Sequence, residues 1–366
     1  MKIKQSPESF IVEEVHERGI SSVAYPLGQK IFDRFPKKKE KYLHCDLVKR
    51  NYTTERAINA VSRSLGISRK RISYAGKKDK RALTSQRISI RNGEKTILKI
   101  KDIQLKNFSY RSKMVKMGDL IGNRFTVTIT DVDVKNKIKS INKFLEKSKY
   151  GVKNYFGKQR FGIRHNNHIV GKKILQGKYE SALKSFLADT GNEKKEVKNA
   201  RNWLNRNWGD WKGGLRIFPK ILGLERGVLE HLDRNSGDFL KAIKKMPKMI
   251  SLLFIHSYQS HIFNCCLEHD DKSEELPLVG YETEMKGILR DILNDEEMRP
   301  SDFRVKDIPY LSSRGTTRKT KFFPIDFRVI GSRNDSIALR FGLESGIYAT
   351  VLLEELARHI GDFIEI

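Results

Sequence analysis

Alternating apolar and polar residues predict β-strands near both ends of the chain. An apolar run opens at Phe10–Val15, and Phe125, Val127 and Ile129 alternate with threonines farther along. The stretch Ile337–Phe341 shows a similar alternation near the C-terminus. Because successive side chains of a strand point to opposite faces, a period of two indicates a strand with one buried face. We therefore expect strands in these three places.

A second spacing, with apolar residues three or four positions apart, predicts helices in four regions. These regions begin at Thr54, carry Ile138–Leu145, cover residues 168–270, and include Val351–Leu356. Such spacing places the apolar residues on one face of an α-helix. Residues 271–330 are polar and show no clear period, so we expect irregular structure there.

The stretch Ser73–Gln86 has an unusual charge pattern. Apolar residues lead into Gly76, and the carboxylate of Asp79 then lies among the four cations of Lys77–Arg81. Alternation resumes after the turn, which predicts strand, turn and strand, with Gly76 allowing a tight backbone. The cations favour the ionised carboxylate and attract a polyanion. A carboxylate repels phosphates, so its presence in a phosphate-binding surface suggests chemistry on a nucleic acid. The alternative is a charged turn in which Asp79 is a cap or an ion-pair partner.

Charge and composition narrow the class of partner. The 366 residues are enough for two domains, and 72 Lys and Arg against 44 Asp and Glu give a net charge of +28. This excess predicts a polyanionic partner, with nucleic acid ahead of a membrane. The chain has no apolar run of about eighteen residues and opens without an apolar signal core, so we expect a cytoplasmic protein. The basic run Phe35–Tyr42 fits a solvated loop or an RNA contact.

The cysteines and histidines give no metal or disulfide pattern. The three cysteines lack the spacing of a zinc site or a disulfide framework and are expected to be buried thiols: Cys45, Cys265 and Cys266. We find no clustered carboxylates or His-x-His spacing that would favour a metal-dependent nuclease.

The stretch Val152–Gly162 alternates aromatic residues with basic and amide residues between two glycines. Aromatic faces can stack on bases, and cations can contact phosphates, so one interpretation is an RNA contact. The alternative is that the three aromatic rings anchor a core while Lys158 and Arg160 point to water. The residues alone leave both open.

Three motifs together resemble the TruD family of tRNA pseudouridine synthases. They are Ala75-Gly76-Lys77-Lys78-Asp79-Lys80 with Thr84 and Gln86, Gly122-Asn123-Arg124-Phe125, and Asn154-Tyr155-Phe156-Gly157-Lys158-Gln159-Arg160-Phe161-Gly162. Lys4–Phe10 is similar to the family's N-terminal segment, and Ser345–Thr350 is similar to its C-terminal one. The resemblance spans almost the whole chain, with the motifs in the family's order.

The resemblance implies an α+β protein with the pseudouridine synthase fold. That fold has a mixed, mostly antiparallel sheet formed from both ends of the chain, interrupted by an inserted mixed α/β TRUD domain. By this analogy residues 1–150 and 321–366 form the catalytic domain, and residues 151–320 form the insertion.

The resemblance also implies the reaction and its catalytic group. The enzyme would isomerise a specific uridine of tRNA, uridine 13 in the family, with Asp79 as catalytic nucleophile or base. Uracil is detached from C1′, rotated and rejoined through C5, so no metal or cofactor is expected. tRNA is the expected partner of a protein that works as a monomer.

Five further residues are implied to bind the substrate: Lys4, Asn123, Phe125, Lys158 and Arg160. Lys4 would pair with Asp79, whereas without the family it would be taken for a frayed terminal charge. Phe125 would stack on the flipped uracil, and Asn123 would hold the neighbouring loop or the base. Lys158 and Arg160 would contact the RNA backbone.

A competing function of a different class is a non-catalytic RNA-binding or ribosome-assembly factor. It would use the same basic surface and leave Asp79 as a turn residue.

Overall fold

The computed structural model describes residues 1–24, 39–270 and 272–365 and divides the chain into two compact units. Unit 1 comprises Met1–Val152 and Phe322–Ile366, and unit 2 comprises Lys153–Lys321. Residues 35–38 of the basic run Phe35–Tyr42 lie outside the described part of the chain.

The strands and helices of the described residues are as follows. The strands are β1 (Phe10–His16), β2 (Gly19–Ile20), β3 (Tyr42–Arg50), β4 (Ile72–Tyr74), β5 (Leu83–Arg91), β6 (Ile103–Arg111), β7 (Gly122–Thr130), β8 (Val152–Lys153), β9 (Glu275–Leu278), β10 (Thr316–Lys319), β11 (Lys321–Phe322), β12 (Ile325–Ser332) and β13 (Ser336–Glu344). The helices are α1 (Thr54–Ser64), α2 (Val134–Ser148), α3 (Asn167–Leu175), α4 (Tyr179–Ala188), α5 (Lys195–Arg206), α6 (Trp211–Ile217), α7 (Gly223–Arg234), α8 (Phe239–Lys245), α9 (Lys248–His269), α10 (Gly287–Asp295) and α11 (Ala349–His359).

Unit 1 is built on a mixed sheet with nine strands in the described residues. Seven strands follow the order β12-β13-β7-β1-β5-β3-β6, while β2 pairs with β1 and β4 pairs with β5. Strands β1 and β5 are parallel, and the other pairs are antiparallel. The α+β class and the mixed, mostly antiparallel sheet are therefore confirmed, as are the strands predicted at β1, β7 and β13.

Helices pack against this sheet at both ends of its strand order. At one end Ile58 of α1 packs, fully buried, into the cluster that contains Leu47 of β3. At the other end Phe144 of α2 packs edge-on against Phe327 of β12, with ring centroids 6.3 Å apart. Each fully buried side chain of this size stabilises the fold by about 1.5–3 kcal/mol. The helices predicted at α1, α2 and α11 are confirmed.

Unit 2 is mostly helical. Its core is centred on α9, where Tyr258 and Phe263 are fully buried. The helices predicted across residues 168–270 are confirmed, but the expectation of irregular structure from 271 to 330 is wrong for the described residues. That region contains β9, α10, β10 and part of β12, and Leu293, Phe303 and Ile308 join the core. These elements could not be predicted because their apolar residues are widely spaced among many charged ones.

The cysteines form no disulfide bond among the residues that the structure describes. Cys45 and Cys266 are fully buried, as predicted, and burial raises the pKa of Cys266 to about 12. The expectation of burial is wrong for Cys265, which is partly exposed because it lies on the side of α9 that carries His261. Within the described ranges, no helix is long and apolar enough to cross a membrane.

Candidate active site

Asp79 lies in the turn between two antiparallel strands, β4 and β5, so the predicted strand, turn and strand are confirmed. The side chain of Asp79 is 46% exposed. The expectation that Gly76 is needed for a tight backbone is wrong. Gly76 does not have a positive φ angle, and a Cβ atom there would lie 3.6 Å from Leu120, an ordinary contact. The turn is shaped by hydrogen bonds instead.

Two fully buried polar side chains hold the first half of the turn. The hydroxyl of Thr54, at the start of α1, accepts a hydrogen bond from the Lys78 amide at 2.9 Å. The same hydroxyl donates to Oε1 of Gln86 on β5 at 2.9 Å. The Gln86 amide in turn donates to the Gly76 carbonyl at 2.9 Å. This chain of bonds joins a helix, a strand and the turn, so the backbone before Asp79 is tied to rigid elements.

The second half of the turn is held by Lys49 of β3, which is fully buried. Its Nζ atom donates to the carbonyl oxygen of Tyr52 at 2.6 Å and to that of Asp79 at 2.7 Å, with the Lys78 carbonyl at 3.5 Å. Burial lowers the pKa of Lys49 to about 8, although the negative charge of Asp79 opposes this shift. Sequence reasoning missed Lys49, although it continues the alternation of Leu43, Cys45 and Leu47.

An ion pair lies buried beside the turn. Nζ of Lys78 is 2.7 Å from Oε2 of Glu14 on β1, and both side chains are almost inaccessible to solvent. Burial raises the pKa of Glu14, and the Lys78 ammonium opposes that shift. Lys77 pairs with Glu55 at 2.7 Å. Two of the basic residues of the turn, Lys77 and Lys78, therefore have partners other than Asp79.

Lys4 is the cation that meets Asp79. Its Nζ atom lies 3.7 Å from Oδ2 of Asp79, and its side chain is 10% exposed. The ammonium also lies 4.5 Å from the centroid of the Phe10 ring. The interpretation of Lys4 as a frayed terminal charge is excluded, since the preceding residues are paired: the Ile3 amide donates to the Glu365 carbonyl at 3.1 Å. Lys4 has a φ angle of 58°, a strained value for a residue with a side chain.

Strand β7 carries the next two predicted residues beside β1 and β13. Gly122 is required by close packing, because a Cβ atom there would lie 2.2 Å from the Leu343 carbonyl oxygen. The following residue, Asn123, has a buried Oδ1 atom without a hydrogen-bond partner among the residues that the structure describes. An unsatisfied buried acceptor is costly, so this atom lacks the compensation that buried polar groups usually have.

Phe125 lies deeper in the sheet and is 6% exposed. Its ring stacks on Phe341, with centroids 5.3 Å apart, and meets the edge of Phe10 at 6.1 Å. Phe10 in turn contacts Lys4. In this arrangement the ring of Phe125 joins the core to the Lys4–Asp79 pair and offers little open surface to a base.

The remaining two predicted residues lie in unit 2, within a short 3-10 helix, Lys158–Phe161. Lys158 is exposed, whereas Arg160 donates from Nε to the Ser260 hydroxyl at 3.0 Å. Phe156 is buried in the unit's core, and Tyr155 and Phe161 pack against that core. The aromatic residues of this motif therefore serve as core anchors, as the alternative interpretation held, but Arg160 does not simply point to water.

Comparison with known proteins identifies the family. The family model described as tRNA pseudouridine synthase D (TruD) matches residues 1–275 and 269–356. The chain belongs to the TruD family of tRNA pseudouridine synthases. The predicted family is confirmed, and with it the prediction of an enzyme rather than a non-catalytic RNA-binding factor.

Individual relatives agree over most of the chain. A Methanopyrus kandleri protein named "Probable tRNA pseudouridine synthase D" is 34% identical over 85% of this chain and 84% of its own length. The tRNA pseudouridine synthase D of Aquifex aeolicus is 29% identical over 97% of this chain and 98% of its own. The crystal structure of a TruD protein from Methanosarcina mazei superposes with a TM-score of 0.79 at 30% identity, covering 97% and 93% of the two chains.

Proposed function

We propose that this TruD-family enzyme isomerises uridine 13 of tRNA to pseudouridine and that Asp79 is its catalytic group. The observation that carries the proposal is the placement of Asp79. Its half-exposed carboxylate stands on a turn held by buried hydrogen bonds, and a nearly buried cation, Lys4, lies 3.7 Å from it. A group that is rigidly held and open on one side is suited to act on a substrate atom.

The reaction requires one carboxylate and a uracil that can rotate within the site. The bond from C1′ to N1 breaks, the uracil rotates, and a bond from C1′ to C5 forms, while the C5 proton is lost to solvent and N1 takes up a proton from solvent. Asp79 either attacks C1′ as a nucleophile, and its bond to C1′ breaks when C5 attacks, or it removes the proton of C2′ as a base and returns it when the bond to C5 forms. In either role the Lys4 ammonium orients the carboxylate. Neither role needs an external redox or phosphoryl donor, so we propose a cofactor-free reaction.

The two units and the other predicted residues also have proposed roles. We propose unit 1 as the catalytic domain and unit 2 as the TRUD insertion domain. Asn123 would accept a hydrogen bond from the flipped uracil, and Phe125 would face that base with its remaining open edge. Lys158 and Arg160 would contact the RNA backbone. Since Lys4 and Asp79 come from one chain, the site supports a monomeric enzyme, and its tRNA substrate supports a cytoplasmic location.

The target is tested by mapping pseudouridine in transcribed tRNA. The wild-type protein is incubated with a transcript carrying uridine 13 and with a matched transcript carrying cytidine 13. Pseudouridine is then detected by carbodiimide modification and reverse-transcription stops. We expect one new stop, at position 13 of the first transcript only. Pseudouridine at another position, or on both transcripts alike, would contradict the assignment of uridine 13.

A further inference from the structure

We propose that Lys49 is a positioning residue that fixes the backbone of Asp79 and so aims its carboxylate. This inference rests on the proposed catalytic role of Asp79. It concerns a residue that no motif of the sequence marks and that does not itself touch the substrate.

The contacts of Lys49 act on the two peptide groups that flank the Asp79 Cα atom. The Lys78 carbonyl belongs to the peptide before this Cα, and the Asp79 carbonyl belongs to the peptide after it. Nζ of Lys49 lies 3.5 Å from the first oxygen and 2.7 Å from the second. Because a residue has only two soft backbone dihedrals, holding both flanking peptides fixes φ and ψ of Asp79. The direction of its Cα–Cβ bond is then fixed too.

A third contact ties Lys49 to the chain just after β3, and the three contacts together are called the Lys49 clamp. Nζ of Lys49 also donates to the carbonyl of Tyr52, three residues along its own chain, at 2.6 Å. An ammonium group has three protons, which match three carbonyl oxygens, whereas a neutral amine has two protons and a lone pair. Deprotonation of Lys49 would therefore turn a lone pair toward one of these oxygens and loosen the turn.

The charged groups around Lys49 determine the pH at which it loses its proton. Asp79 of the turn and Glu55 of α1 favour the ammonium form, whereas Lys78 and burial disfavour it. Together they lower the pKa of Lys49 to about 8. Two of these neighbours are themselves neutralised, since Lys78 pairs with Glu14 and Glu55 pairs with Lys77. Lys49 has no salt-bridge partner among the residues that the structure describes. Its hydrogen bonds to carbonyl oxygens therefore offset the cost of burying its charge.

The chain offers a matched control in Lys106 of β6. This lysine is also fully buried, and its Nζ atom donates to the Val23 carbonyl at 2.7 Å. It pairs in register with Asp46 of β3, which points to the opposite face of the sheet from Lys49. Lys49→Met and Lys106→Met thus remove the same group from the same sheet, on two different faces.

The test compares these variants in single-turnover reactions at saturating tRNA, under conditions where circular dichroism shows each to be folded. For Lys49→Met we expect a rate about 100-fold lower, with tRNA affinity within about threefold of wild type, because a misaimed group loses rate rather than binding. For Lys106→Met we expect a rate near wild type. Equal rates for the two variants would overturn the proposal.

A second readout does not depend on activity. Hydrogen exchange of the peptide covering residues 76–82 should be faster in Lys49→Met than in wild type and unchanged in Lys106→Met. If wild type modified no tRNA but this exchange difference were present, the proposed function would fail while the clamp stood. Unchanged exchange in Lys49→Met would overturn the clamp itself.

The protonation state is tested by changing the basicity of the amine. Lys49→Cys, alkylated in the unfolded state with bromoethylamine and refolded, carries a lysine analogue whose amine is less basic because of its sulfur atom. The substitution is made in a background of Cys45→Ala, Cys265→Ser and Cys266→Ala, because alkylation would otherwise place a charged group on two fully buried thiols. The background protein with Lys49 intact, treated in the same way, is the control. We expect the alkaline fall in the saturated rate, near pH 8 in wild type, to move to lower pH in the analogue. An unmoved profile would show that the charge of Lys49 is not required.

Discussion

Replacing Lys78 with methionine removes the cation that neutralises Glu14 beside the turn that carries Asp79. The two groups are 2.7 Å apart and are shielded from solvent, so the carboxylate cannot recover its lost partner from water. Removing one member of such a buried pair costs about 3–5 kcal/mol. We expect a loss of this size in the free energy of unfolding of Lys78→Met at pH 7, measured by urea denaturation. The double variant Glu14→Gln, Lys78→Met should recover most of it, because the introduced glutamine keeps an acceptor for the Arg87 amide without a charge.

The loss of stability in Lys78→Met should depend on pH. Burial raises the pKa of Glu14 above its ordinary value of 4.5, and loss of Lys78 raises it further. Between the ordinary and the raised pKa the folded state binds more protons than the unfolded state, so stability falls as pH rises. The deficit of Lys78→Met should therefore be small near pH 4.5 and grow toward neutrality. A deficit that does not change with pH, or a double variant no more stable than Lys78→Met, would refute this reasoning.

Two further predictions concern backbone packing and the ion pair at Asp79. Gly122→Ala should lower the unfolding temperature, because its Cβ would lie 2.2 Å from the Leu343 carbonyl, whereas the matched Gly76→Ala has ordinary contacts and should melt near wild type; equal melting temperatures would contradict the packing argument. Lys4→Met should lower the saturated rate of isomerisation about 10–100-fold with little change in stability, because the partly exposed pair contributes roughly 1 kcal/mol or less to folding. Wild-type turnover by Lys4→Met would show that this cation is not needed.

Local patterns predicted the parts of the fold that depend on a single buried face. Strands β1, β7 and β13 alternate because one of their faces meets the core, and helix α1 shows its apolar face in the same way. Strand β3 was missed because both faces are buried along much of its length, with Asp46 and Lys49 among the buried residues. Such a strand breaks the simple alternation of apolar and polar positions.

Some residues of the candidate site could be predicted from the sequence, and others could not. Asp79 stands out in the sequence because it is a single carboxylate among four cations, and the family motif strengthens its assignment. Its partner Lys4 came from the resemblance alone, since a terminal lysine is usually exposed. Lys49 and Thr54 could not be found, because their roles depend on carbonyl and amide groups of a turn more than twenty residues farther along the chain. Hydrogen bonds to backbone groups that lie far away along the chain leave no local pattern in the sequence.

The central claim is that Asp79 carries out the isomerisation of uridine in tRNA. It is tested most directly by tritium release from transcribed tRNA made with [5-³H]uridine, because bond formation at C5 expels that hydrogen. Wild type and Asp79→Asn are compared at equal, saturating concentrations, with tRNA binding measured in parallel. We predict release by wild type and none by Asp79→Asn, with binding retained by both. Release by Asp79→Asn at the wild-type rate, or no release by folded wild type, would contradict the claim.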